Sequence, residues 1–320
     1  MPQIDTITKY EYLFTKASDK MYEVTGSNQE RSFTKFMKKG DTSEVDYRSA
    51  SIVGFGQHFQ KTEVGPIRYD TLTPGRERTT TWPSYALGWR VSDRFWRDAM
   101  KSKRAAKGAF KKFIGFTQRA RESAEWTMEA IVAFIIDTLN VAATGPLFNG
   151  IGSDGKAFAA TDHPLIKASG SASNVNGSAS LTSTALEDSI ALLRRTPDER
   201  GRRGGFATKG RLILVVGPIN EFKAYQILNT DNVMGTNNND TMALNKYKRG
   251  ITVVVVDELD AWDGWLLVDG DRMPLEYFIN LEPTFTNQKD FETSVHLFKS
   301  EVEFAADFHD WRGVVYNAGT

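Results

Sequence analysis

Three groups of residues have the types that chemistry uses: a glycine-rich basic loop, four histidines and a run of carboxylates. The loop Arg200-Gly201-Arg202-Arg203-Gly204-Gly205 leads to Thr208-Lys209-Gly210. A phosphate-cradling loop needs Gly-Lys and then Ser or Thr, so that backbone N–H groups, ammonium and hydroxyl meet one phosphate chain. The order here is different, and a nucleotide site is not expected. His58, His163, His296 and His309 are far apart, and none has a metal-ligand spacing. His163 sits in Asp162-His163-Pro164, where a packed, hydrogen-bonded imidazole is the expectation. Asp257, Glu258, Asp260 and Asp263, then Asp269 and Asp271, lack the one-three-five spacing and closing glutamate of a calcium loop. They read as turns between strands. No Gly-X-Ser-X-Gly elbow occurs. With no cysteine in 320 residues, disulfides, thiolate ligands and cysteine nucleophiles are excluded. The sequence therefore offers no catalytic group, cofactor or metal site, and no enzyme is expected.

What remains is charge. Forty basic and forty acidic side chains sum to zero, but they are not mixed evenly. Ten basic residues lie between Arg94 and Arg121, opposed only by Asp98. Eight of them form the denser part: Arg94, Arg97, Lys101, Lys103, Arg104, Lys107, Lys111 and Lys112. Such a run is either a solvated helix face or a surface for phosphates. From Asp257 to Asp310, fourteen acidic residues face three basic ones, so an acidic C-terminal region balances a basic middle.

The elements that hold these groups follow from pattern. Residues 1–60 are polar with single aromatics, Tyr10, Tyr12, Phe14, Tyr22, Phe33 and Phe36, and read as an extended arm or a partly disordered tail. Ile67 to Leu72 alternates, Thr73-Pro74-Gly75 reads as a turn, and Arg78 to Trp82 returns in β-favouring residues. That predicts a projecting hairpin over 61–92 with Pro74, Gly75, Arg76, Glu77 and Arg78 at its tip. Ala124, Met128, Ile131, Ile135 and Leu139 share one face of a helix predicted from Thr117 to Ala143, stopped by Gly145-Pro146. Gly108 and Gly115 are expected to loosen the segment before it.

A loop-like region follows, then a helix opened by a capping box, Thr184 with Glu187. The apolar run Leu212 to Val216 reads as a buried strand leading through Gly217-Pro218 into a helix ending near Leu228. Ile251–Val256 and Trp265–Val268 read as further buried strands. Val302 to Phe308 alternates like a half-exposed strand, and Gly313 to Tyr316 closes the chain as another. No apolar run approaches the ~20 residues of a membrane span, and the start of the chain lacks a signal-peptide pattern. An α+β fold working without a membrane is expected.

In that order the segments resemble the major capsid proteins of tailed double-stranded DNA phages, a fold shared with encapsulins and herpesvirus capsid floors. The stretches that carry the resemblance are Leu147-Phe148-Asn149-Gly150 with Asp162-His163-Pro164, and Val215-Val216-Gly217-Pro218 with its helix. Trp265 to Asp269 and Asp310-Trp311-Arg312-Gly313-Val314 complete it. The flavour is that of Mu-like head subunits.

The resemblance implies an N-terminal arm (1–60), an extended loop (61–92), a peripheral domain with a long spine helix (93–144), an axial domain (145–272) and returning peripheral strands (273–320). It further implies assembly as pentamers and hexamers into an icosahedral shell around phage DNA. The basic stretch would face that DNA. Arg200, Arg202 and Arg203 would lie in an axial loop. Portal, scaffolding and decoration proteins would be further partners, the virion the final location and the host cytoplasm the site of assembly. Some relatives weld their shells through a lysine in the extended loop. Thr62 to Met100 contains no lysine, so no such crosslink is expected. No long helical scaffold segment precedes the arm, so a separate scaffolding protein, or none, is expected. An encapsulin-type compartment shell is the alternative reading.

Overall fold

The structure is a computed structural model. It describes the chain except residues 1–15, 27–29, 62, 64, 68, 95–102, 143–144, 146–147, 178–179, 209, 230–231, 234–242, 245–249 and 320. The side chains of 103–107, 109–110, 232–233 and 243–244 are also outside the description. Tyr10, Tyr12, Phe14, Arg97, Lys101 and Leu147, all singled out in the sequence, therefore lie outside the described residues.

The main elements begin with helix α1 (residues 16–26). Strands β1 (Tyr47–Val53), β2 (Thr73–Thr80) and β3 (Ser84–Val91) follow, then helix α2 (Lys103–Asp137). Helix α3 (Ser183–Arg195), strand β4 (Leu212–Val216) and helix α4 (Pro218–Asn229) come next. Strands β5 (Ile251–Val255), β6 (Trp265–Asp269), β7 (Leu275–Lys289), β8 (His296–Phe308) and β9 (Val314–Asn317) complete the chain. They divide into two units, one of residues 1–31, 82–130 and 278–305, the other of 32–81, 131–277 and 306–320. Among the described residues no helix is long and apolar enough to cross a membrane.

The first unit is held by aromatics on β3, β7, β8 and α2. Trp89, Phe285 and Phe298 stack with centroids 5.7–6.1 Å apart, and Phe113 meets Phe298 edge-on at 4.6 Å. Tyr22 of α1 stacks on Phe285 and bonds Ser300 at 2.5 Å, so part of the polar arm is buried within the chain's own first unit. α2 lies within the stretch 93–143 that reads as helical, ends sooner than Ala143, and runs through Gly108 and Gly115 without a break. Neighbouring helix formers and the buried face of Phe113, Thr117, Ala120 and Ala124 outweigh the ~1 kcal/mol each glycine costs.

The second unit is built on a sheet of order β5-β4-β6-β9. β5 runs parallel to β4, with α4 as the crossover, and β6 and β9 are antiparallel to their neighbours. Every residue of β4, β6 and β9 is buried, which is why β4 and β6 read as apolar runs rather than alternations. Leu186, Ile190 and Leu193 of α3 and Ala224 and Leu228 of α4 pack into this core. The cap of α3 is Thr182, whose hydroxyl accepts from the Ala185 N–H at 3.1 Å, two residues before the predicted box. Gly217 is obligatory for space: a Cβ there would sit 2.5 Å from the Leu259 carbonyl. Phe33 and Phe36, predicted arm anchors, are also fully buried in this unit, Phe33 edge-on against Tyr277 at 5.0 Å.

Truncating Leu267 to alanine at the centre of β6 removes a fully buried side chain. It should cost about 2–5 kcal/mol in urea melts of the unassembled subunit. Leu297→Ala, at a side chain 40% exposed on β8, should cost less than about 1 kcal/mol.

Candidate functional site: an anchored hairpin and a basic helix face

The hairpin lies elsewhere than predicted. β1 pairs antiparallel with β2, from Tyr47 opposite Thr80 to Val53 opposite Thr73, with a register shift between Ala50 and Ile52. The Thr73-Pro74-Gly75 turn and the Arg76-Glu77-Arg78 tip are thus strand residues of β2, and the true tip is the loop 54–72. Ser84 to Val91 belongs to another sheet, against β8. The pattern misled because an irregular β1 carries no clean alternation, while Pro74-Gly75 looks like a turn in any local window.

Arg78 marks the base of the hairpin rather than its tip. Its Nε lies 3.0 Å from both Asp307 oxygens, and its Nη2 donates to Asp307 Oδ1 at 2.6 Å. The remaining N–H groups reach the Ile151 carbonyl at 2.5 Å and the Asn149 carbonyl at 2.6 Å. The guanidinium lies over the Phe308 ring, 4.3 Å from its centroid. Thr80 Oγ1 donates to the other oxygen of Asp307 at 2.6 Å. Both charged side chains are more than nine-tenths buried. A buried charge survives only when paired and fully hydrogen-bonded, and this one is both.

Two further ties flank this one. Arg76 donates to the Pro164 carbonyl at 2.8 Å and stands 3.9 Å from Asp154. Asp154 bonds His163 Nδ1 at 2.6 Å, and the His163 ring stacks on Trp311 with centroids 4.3 Å apart and planes 3° from parallel. His163 Nε2 meets the Phe158 carbonyl and Asn174 Oδ1, each at 3.2 Å. The imidazole is a packed, hydrogen-bonded core group, as its setting before Pro164 indicates. Burial pushes the Asp154 carboxyl up, but the hydrogen bond and charge of His163 outweigh it and hold it below the usual value. On the other strand, Tyr47 packs edge-on against His309, whose Nε2 lies 3.2 Å from Glu276. Glu276 is likewise pushed up by burial and brought net below its usual value, chiefly by His309.

Arg200, expected as an axial-loop residue, pins the shoulder of the hairpin loop. It donates to the Gly54 carbonyl and pairs with Asp70 at 2.8 Å, while Asp70 accepts the Gly56 N–H at 2.6 Å. Both sides of the loop are therefore tied to one guanidinium. Arg202 pairs locally with Asp198 at 2.8 Å, and Arg203 is exposed. Beyond the pin, Phe55, Phe59, Ile67, Tyr69 and Leu72 are all exposed, Tyr69 by 92%. Lys61 also lies in this loop, so the hairpin does carry a lysine, one residue before the lysine-free span Thr62 to Met100.

Of the eight basic candidates, Arg94, Lys111 and Lys112 are exposed. Lys103, Arg104 and Lys107 lie in the first turns of α2. Only the backbone of Lys103, Arg104 and Lys107 is described; in the sequence Arg104, Lys107 and Lys111 stand at i, i+3, i+7 spacing. Arg121 is not part of that surface. It is buried, bonded to Glu125 at 2.5 Å and to the Pro283 carbonyl at 2.8 Å, with Arg31 on the same carboxylate.

Nothing in these arrangements brings a nucleophile, base and acid together. They anchor one hairpin and leave Arg94, Lys111 and Lys112 exposed. Residues 79–317 match the family model for phage capsid proteins. The chain belongs to this family. Its fold is that of three capsid-type particles, at 11–13% identity. The virus-like particle from Pyrococcus furiosus matches with a TM-score of 0.50 over 94% of this chain and 98% of that one. The bacteriophage PhiM1 mature capsid matches at 0.53 over 90% and 86%, and the capsid of the empty GTA particle at 0.52 over 91% and 90%. No curated protein matches the sequence. The protein is a phage capsid protein of the virion, with the α+β phage capsid fold.

Removing the guanidinium alone should be severe: Arg78→Met strands Asp307 as a buried charge and should cost the subunit about 3–5 kcal/mol. The double variant Arg78→Met/Asp307→Leu should recover most of that in urea melts. Asp154 and Glu276 set the acid limit. Carboxyls held low in the fold stabilise it above their unfolded values, and that stability drains as pH falls through the lowered ones. The subunit's melting temperature should therefore drop steeply below about pH 4, and Asp154→Asn should flatten that slope.

Proposed function

We propose that the copies associate as pentamers and hexamers, that each hairpin loop 54–72 reaches over a neighbouring copy, and that the shell encloses double-stranded DNA. The carrying observation is the contrast along one hairpin. Its base is tied by Arg76, Arg78 and Tyr47, while its tip exposes five large apolar side chains. A rigidly presented apolar tip gains its buried area from another molecule, and in a shell that molecule is another copy.

In this reading residues up to about 46 form the arm, 47–80 the extended loop, and α2 with β7 and β8 the peripheral domain. The region from about 145 to 272 forms the axial domain. The face of Arg104, Lys107 and Lys111, with Arg94 and Lys112, meets packaged DNA through sequence-independent phosphate contacts. The subunit does no catalysis, it assembles in the host cytoplasm, and portal, scaffolding and decoration proteins are its further partners.

Negative-stain microscopy of the purified protein, with its absorbance ratio at 260 and 280 nm, tests this. Closed shells of uniform diameter carrying nucleic acid are expected. A small oligomer that never closes would sink the reading, and shells filled with enzyme cargo would replace it with the encapsulin alternative. Substituting Arg104, Lys107 and Lys111 by glutamine should leave shell formation intact and reduce the DNA retained. Unchanged retention at raised salt would remove the DNA-facing assignment.

A further inference from the structure

The most exposed large apolar side chain in the described structure is not on the hairpin loop. It is Phe291, 97% exposed, in the turn between β7 and β8. That turn is built firmly. The Asp290 N–H donates to the Val295 carbonyl at 2.9 Å. The Asp290 carboxylate accepts the Glu292 N–H at 3.2 Å and the Thr293 hydroxyl. Ser294 closes the turn at φ +54°, a left-handed conformation that a non-glycine residue adopts at some cost. A turn this well tied, holding a phenyl ring in water, is shaped as a knob.

The same chain carries a socket. Loop 54–72 curls around an open hollow with a volume of about 1090 Å³, walled by Phe55, Phe59, Ile67 and Tyr69. Its charge is complementary to the knob. Lys61 and Arg200 line it, and Asp70, the one acid among the described lining residues, is already paired with Arg200. The knob carries Glu292 beside the ring, with the Asp290 carboxylate behind it.

We propose that Phe291 of one subunit inserts into the hollow of loop 54–72 on a neighbouring copy, with Glu292 set against Lys61. The inference rests on the shell reading above and names the contact that reading requires. It explains two costs at once, since both the ring and the hollow lose their exposed apolar surface in a single step. The occupant is a second copy because each partner of the contact is supplied by this chain.

The test starts with wild-type protein. Hydroxyl-radical footprinting should show Phe291, Phe59 and Tyr69 protected in closed shells relative to unassembled subunits. The chain has no cysteine, so a disulfide trap has no background. Shells of Tyr69→Cys/Phe291→Cys protein, co-assembled with wild type if they do not close alone, should give a ladder of covalent oligomers on mild oxidation. Neither single variant should give that ladder. Shells in which Phe291 or Tyr69 oxidises as fast as in free subunits overturn the contact and leave the shell reading standing. Protection without a ladder overturns it too, because the ring is then buried somewhere other than this hollow. Wild-type protein that forms no shells removes both the contact and the reading beneath it.

Discussion

A guanidinium and a carboxylate 229 residues apart in sequence meet in the core of the second unit, and the hairpin depends on that meeting. Neither Arg78 nor Asp307 could be buried alone, since an unpaired charge in a low-dielectric interior is far costlier than the surrounding packing can offset. Together they use the two carbonyls of Asn149 and Ile151 and the hydroxyl of Thr80. The pair therefore fixes β2 against β8 and against the 149–151 loop at one point. Seven residues of β1 then span about 23 Å from this pair to the loop 54–72. The position of that loop is set by the chemistry at the base together with the Arg200 pin on Gly54 and Asp70.

The rest of the hairpin follows from the same economy. Its loop exposes Phe55, Phe59, Ile67, Tyr69 and Leu72, and Arg200 closes the loop's shoulder. Each unit has its own core: three wholly buried strands in one and an aromatic stack in the other. This division lets the hairpin be polar at its base and apolar at its end without threatening either core.

Local physics made much of the fold legible. β4, β6, α4 and β9 were readable because each is specified by its own residues: buried apolar runs, a proline at the first helical position, glycines at the ends. The order of segments carried the family. The hairpin was not legible, for a physical reason. Arg78 and Asp307 each look solvent-exposed in any short window, and only their pairing across the chain makes them core residues. The alternation of Val302 to Phe308 likewise predicted a half-exposed strand, yet β8 is buried on both faces from Phe304 onward because Arg78 neutralises its one inward charge. Long-range pairing is invisible to periodicity. The tip's apolar residues were present in the sequence, but with the hairpin placed some 15 residues too late they were assigned to an arm and a strand.

The central claim is that the base of this hairpin is held within the subunit so that its tip can be held by another. A cryo-electron microscopy reconstruction of the closed shell at side-chain resolution tests it most directly. The account predicts Arg78 on Asp307 of its own chain and the density of residues 54–72 lying against a neighbouring subunit. Residues 54–72 folded back on their own chain, or standing clear in solvent with the shell closed, would contradict it.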